Sequence, residues 1–449
     1  MPAWWSIRLF AAAVVLFVPA ASPAADEFDD GVRAYEARDF ARARAVFLDL
    51  AELGDGASQY NLAAMALKGQ GVTRDRGEAA GWMRAARENG YDPTPRALER
   101  LLSELAPAER EASERIVARF GRAALERSVL PPKDPSPAMS VPVSIEGPRL
   151  GDLGPAAPAT VILSVVLGAG GRPRDPEIVT AAGRGRGDSA ARSFALVAAS
   201  RVLEARYEPA RLDGAPVAVN FHYRISVRPP YGPEPQDRAY HAMASLGWSG
   251  GAAALLPGGR LLETAQGGRT EAQLAMGAQL LRAGEASKAV PWLERASRAG
   301  LAHAHVRLGL ALLELDDTPL ERVRELLSRA GSDRDRWGAR HAIEVLACPN
   351  RRALHDPQLA LAIAEEARLR KDLDPLSHAA LAAAHASAGE RVAAERAQQD
   401  AIDRAKRLGW RVEGLEERHA AYAAGRPCES PFLPRAQYPV VLPRPPVTR

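Results

Sequence analysis

From Val217 to Val227 every odd-numbered residue is apolar, while Asn220, His222, Arg224 and Ser226 alternate with them. A period of two predicts a half-buried β-strand with one wet face. Residues 160–167 read as an earlier strand, and a glycine turn leads from it into a second near 176–181. Residues 188–205 open on a candidate N-cap, Asp188, and place Phe194, Val197, Ala198 and Val202 on one helical face. Burying five or six strand side chains at about 1.5–3 kcal/mol each yields on the order of 10 kcal/mol. Two or three strands are nevertheless marginal without a covering helix. The pattern therefore predicts a small α+β domain over 149–230, in the order strand, strand, helix, strand.

On either side the period changes to that of helices. Residues 57–90 carry a helix, a turn with Gly69 and Gly71, and a second helix with Ala79, Trp82, Ala86 and Gly90 spaced three, four and four apart. The same set recurs as Ala289, Trp292, Ala296 and Gly300. Small residues at these steps form one stripe, letting paired helices approach closely while tryptophan fills the groove, and the glycine ends the helix. This pattern resembles the Sel-one-like repeat, a relative of the tetratricopeptide repeat, with a weaker copy at Ala43 and Gly54. Residues 376–405 resemble a tetratricopeptide unit, with Gly389 at the turn and a stripe from Ala393 to Ala401. The expected class is thus multidomain: α-helical repeats (a solenoid of α-α hairpins) over 26–128 and 237–425 flank the α+β domain. Such repeats bury one face on their neighbours and offer a concave surface to partners.

Composition adjusts the picture at the ends and joints. Six prolines between Pro131 and Pro148 mark a linker over 129–148. Seven prolines and four arginines make 426–449 an extended tail, either a polyproline II ligand or a strap along the last repeat. The first 25 residues combine Arg8, an apolar run from Leu9 to Val18 and small residues at Ala24 and Ala25. That is a secretory signal, and the run is too short to span a bilayer. The expected location is periplasmic, with inner-membrane anchoring by an uncut signal as the alternative. Cys348 and Cys428 are the only cysteines; they are read as one disulfide or as two buried thiols. The 59 basic against 55 acidic residues, with no basic patch, argue against nucleic acid.

Within the central domain the motif order matters more than the period. Residues 140–229 resemble the C-terminal domain of the TonB energy-transducer family. The resemblance is carried by Gly170, Gly171 and Pro173, by Tyr207, Pro209 and Ala210, by Asp213, Gly214, Pro216 and Val217, and by the long alternating strand. The tyrosine-proline segment usual before the first strand is replaced by "VPVSIEGPRLGDLGPAAP". The resemblance implies that the last strand, with Val217, Val219, Asn220, Phe221, His222, Tyr223, Arg224 and Ile225, lies at a sheet edge and takes an extended peptide from an outer-membrane receptor. An edge presents unpaired N–H and C=O groups that such a peptide satisfies. The competing reading has this strand paired within the fold or covered by the repeats.

A transducer would need a retained membrane helix and a long proline spacer. The expected function is accordingly a non-enzymatic periplasmic adaptor for proteins or peptides, outer-membrane receptors or envelope proteins among them, with no cofactor. The alternative is an energy transducer for outer-membrane transport. No catalytic residue and no metal site is expected. His303 with His305 and His378 with His385 lack completing ligands at the right spacing, and "GAGG" reads as a turn and not a phosphate loop.

Overall fold

Aspartate side chains start many of the helices. Asp39, Asp55, Asp75, Asp356 and Asp374 sit at N-caps and accept a hydrogen bond from a backbone N–H of the first turn, satisfying donors that a helix end leaves open. The computed structural model describes residues 23–129, 140, 142–149, 159–183, 187–227, 242–244, 258–315, 318–331, 336–348, 354–427 and 440–441. This part is mostly helical with a few small sheets. Residues 1–22, which hold most of the expected export signal, lie outside it. Among the described residues no helix is long and apolar enough to cross a membrane.

The chain divides into two units, residues 1–132 with 256–276 and residues 133–255 with 277–449. The first holds α1 (Pro23–Glu36), α2 (Phe40–Ala51), α3 (Gly56–Lys68), α4 (Arg76–Glu88), α5 (Pro95–Ser103), α6 (Pro107–Phe120) and α7 (Arg122–Val129). Ala79 and Ala86 are fully buried, and Trp82 packs its ring 4.5 Å from that of Phe120. Helices α4 and α6 pack through small residues, since a Cβ at Gly81 would stand 2.6 Å from that of Ile116. Residues 258–276 join this unit and not the C-terminal block expected over 237–425. Gln266 Nε2 donates to the Leu53 carbonyl at 3.0 Å, and Arg122 pairs with Glu263 at 3.1 Å.

The second unit begins earlier than the sequence suggests. Val143–Glu146, inside the expected linker, forms β1 and pairs antiparallel with β4 (Arg206–Glu208). Strands β2 (Ala159–Leu167) and β3 (Pro173–Ala182) and helix α8 (Gly187–Val202) follow within a few residues of expectation. Next come a hairpin of β5 (Ala210–Leu212) and β6 (Ala215–Val217), then β7 (Val219–Val227), and far downstream β8 (Val440–Val441). The main sheet has the order β3-β2-β7-β8. The strand expected from Val217 to Val227 is thus split: Val217 ends β6, opposite Ala210, and only 219–227 join the sheet. Asp213 (φ 52°) and Gly214 (φ 80°) take two successive left-handed conformations, the hairpin geometry that matches strand twist.

All nine residues of β2 are buried. Helix α8 covers one face of the sheet with Ala191, Phe194, Ala195, Ala198 and Val202, in one cluster with Val161, Leu163, Val165, Phe221 and Ile225. Ala379, Ala401, Ile402 and Trp410 of the C-terminal helices belong to the same cluster. Val197, expected on the buried stripe of α8, is 44 % exposed. The buried face is instead carried by alanines that let the helix sit close. In the C-terminal repeats Ala289, Trp292 and Ala296 are buried as the stripe predicts, and Gly300 turns at φ 78°. Cys348 is disulfide-bonded; the chain's only other cysteine, Cys428, lies outside the described residues.

The turn after β2 ties the family-like motif residues together. Gly171 has φ 75°, and a Cβ there would stand 1.9 Å from the Tyr207 carbonyl oxygen, while the Tyr207 N–H donates to the Gly171 carbonyl at 2.9 Å. Gly170 has open space around it. Gly171→Ala should therefore lose at least about 2 kcal/mol in urea unfolding, from left-handed strain plus the clash. Gly170→Ala should stay within about 0.5 kcal/mol of the parent.

Candidate peptide-binding edge

The expected site residues fall on three different surfaces. Val219, Phe221 and Ile225 point into the core beneath α8 and are at most 6 % exposed. Tyr223 is half-buried, and its hydroxyl donates to that of Tyr207 at 2.7 Å. Burial raises both phenols above the ordinary tyrosine pKa, with the shared hydrogen bond pushing Tyr223 further up. Tyr207 also packs against Phe221, ring centroids 5.4 Å apart. Of the motif residues, Ala210 is buried, Pro216 is exposed in β6, and Pro209 follows β4. These are structural positions around the sheet.

Asn220 and His222 correct the expectation of a wet face: they are 6 % and 2 % exposed. By register they share that face with Val166 and Ser164 of β2, and through Ser164 with Glu177 of β3. All of these are buried, and Glu177 meets the helix Arg336–Ala347, with Arg340 and His341 each 3.7 Å away. Of the residues expected to bind a peptide, Val217 and Val219 to Ile225, Arg224 alone is exposed.

The edge is not the bare border that the resemblance implies: at Asn220 and Phe221 the competing reading holds, and β7 is paired within the fold. On the side of β7 away from β2 lies β8, parallel, with Asn220 opposite Val440 and Phe221 opposite Val441. The expected strap along the last repeat thus places these two tail residues on the sheet. The alternation of side chains reports which strand is half-buried, but not which backbone groups already have a partner.

At the opposite edge lies an arrangement that no local pattern in the chain announces. Arg340 is 3 % exposed, donates to the Ile178 carbonyl of β3 at 2.9 Å and contacts Asp374 in an ion pair. Burial alone would lower its pKa, but Asp374, Glu177 and Asp372 reverse that and hold the guanidinium charged. Arg336 pairs with Asp372 at 2.8 Å, and Ser377 donates to Asp372 at 2.7 Å. A cavity of about 40 Å³ adjoins the network, lined by residues including Arg192, Leu196 and Trp337. That is room for a few waters at about 10–15 Å³ each, far below the roughly 300 Å³ of an ordinary ligand pocket. No spacing rule links Glu177, Arg340 and Asp374, so only a buried arginine on an apolar helix face could have hinted at them.

The histidines have structural partners. His305 Nδ1 lies 2.7 Å from Ser297 Oγ, His303 stacks on Trp337 at 4.4 Å, His378 Nε2 donates to the Asp372 carbonyl at 2.8 Å, and His385 Nδ1 donates to Glu390 at 2.6 Å. His378 and His385 therefore serve separate contacts, despite their shared helical face.

No family model, curated protein or solved structure matches this chain. The TonB-like and repeat-like resemblances rest on the motif residues alone.

Two outcomes follow from the buried charges. Arg340→Met removes the buried ion-pair partner of Asp374 and should cost about 3–5 kcal/mol in urea unfolding. His341, whose Nδ1 donates to the Trp337 carbonyl, is pushed down to about 4 mainly by burial, against Glu177, which raises it, and alongside Arg340 and Arg307, which lower it further. Its folded pKa lies below the unfolded value near 6.5, so its contribution is complete above pH 6.5 and is lost as pH falls toward 4. Urea midpoints at pH 7, 6 and 5 should fall, and His341→Gln should flatten part of that fall, leaving the same-signed share of His378, also lowered by burial.

Proposed function

We propose that this protein is a non-enzymatic adaptor of the bacterial envelope, exported to the periplasm, whose helical repeats support a small TonB-like α+β domain that takes extended segments of other proteins at the edge of β7. The observation that carries the reading is the β7–β8 pairing. A segment 220 positions away in sequence adds to this edge as a parallel strand of two residues. Main-chain hydrogen bonds supply affinity in such additions, and neighbouring side chains supply choice. The helical repeats supply framework: their small-residue stripes are spent on packing, leaving exposed outer faces such as that of Val392, 66 % exposed.

Site-specific photo-crosslinking in the native host tests this reading. A photoreactive residue at Arg224 should give discrete protein adducts in the periplasmic fraction. Adducts from position 392 with none from 224 would move the binding surface to the helices and overturn the assignment to β7.

A further inference from the structure

Strand β8 is short, parallel and drawn from the chain's own end. Val440 and Val441 stand opposite Asn220 and Phe221, and in sequence they are bracketed by Pro439 and Pro443. Proline cannot donate to a ladder, so this bracket limits how far strand addition extends. Two residues supply only a few hydrogen bonds, each of modest net strength because water competes for the same groups. Such a contact would not hold a free peptide well, but this one is tethered. Only residues 428–439 separate Val440 from the described end of the folded body at Pro427. Because the tail belongs to the same chain and only twelve residues intervene, its return to β7 is intramolecular, at an effective concentration on the order of millimolar. The edge is therefore held closed by proximity more than by contact.

We propose that Val440–Val441 is a built-in occupant of the β7 edge, which an external segment must displace. The occupant also specifies the partner: a short extended peptide carrying two β-branched residues between prolines, running parallel to β7. This rests on the strand-addition reading above and adds competition and ligand class to it. A folded partner that offers only a helix or a charged patch does not fit, because the groups β7 presents at this edge are main-chain donors and acceptors.

The probe is a fluorescent peptide of residues 434–446. A chain ending at Leu433 keeps Cys428 and loses β8; it should bind the peptide at least tenfold more tightly than the full chain. The full chain carrying Val440→Pro and Val441→Pro should bind like the shortened one, which covers the case where truncation disturbs folding. A peptide with the same two prolines should not bind either form. Equal affinity for the shortened and full chains, or no binding by a shortened chain with unchanged circular dichroism, overturns the proposal. So does a full chain that sediments as a dimer and becomes a monomer on shortening, because the tail would then belong to a second copy. Peptide binding together with absent crosslinks at position 224 would sink the adaptor function and leave the tail's role standing.

Discussion

A sheet that is not closed on itself has two edges, and each must satisfy or shield its outward N–H and C=O groups. The order β3-β2-β7-β8 gives the two edges different treatments. At β3, Arg340 reaches in from a repeat helix and donates to the Ile178 carbonyl while its charge is held by Asp374 and Glu177. At β7 the covering group is backbone from the tail. A buried ion network is costly to open, because separating it leaves bare charge in a poorly hydrated place. A two-residue ladder can be exchanged for another ladder at little net cost, since one set of hydrogen bonds replaces an equal set. This asymmetry is the ground on which exchange is proposed at β7 and not at β3.

The same network explains how the α+β domain and the C-terminal helices form one unit. Arg340, Arg336 and His341 lie on the helix Arg336–Ala347, and Asp374 caps the helix Pro375–Ser387 while also meeting Arg340. One carboxylate thus serves both as a helix start and as a counter-ion to the residue that blocks the sheet edge. The sheet is covered on the α8 face by apolar packing, and polar contacts reach Glu177 on the other. Asn220 and His222 are buried on that same face.

Several elements were legible before any coordinates. The apolar runs of β2 and β3, the helix α8 and the buried tryptophan stripes at Trp82 and Trp292 all follow from local period. The errors have one cause. Val197 on a helix, and Asn220 and His222 on a strand, were assigned to a face by period alone, yet burial depends on what stands opposite. Val217 was read as part of a long strand because its neighbours alternate, although the hairpin turn commits it to Ala210. The assignment of 258–276 failed similarly: helix period cannot say which neighbouring hairpin a helix will join.

The sequence by itself determined the kinds of element present, the stripes that pack the helices, the glycine turns and the conjunction of a stranded cassette with flanking helices. These are short-range properties, fixed by dihedral preference and by the spacing of apolar side chains within a few residues. Tertiary structure alone decided that the wet face of β7 is covered, that Arg340 seals one edge and that Val440 and Val441 sit on the other. Those outcomes depend on pairs 162 to 220 positions apart, where loop closure brings together groups whose local sequence carries no mark of the partner.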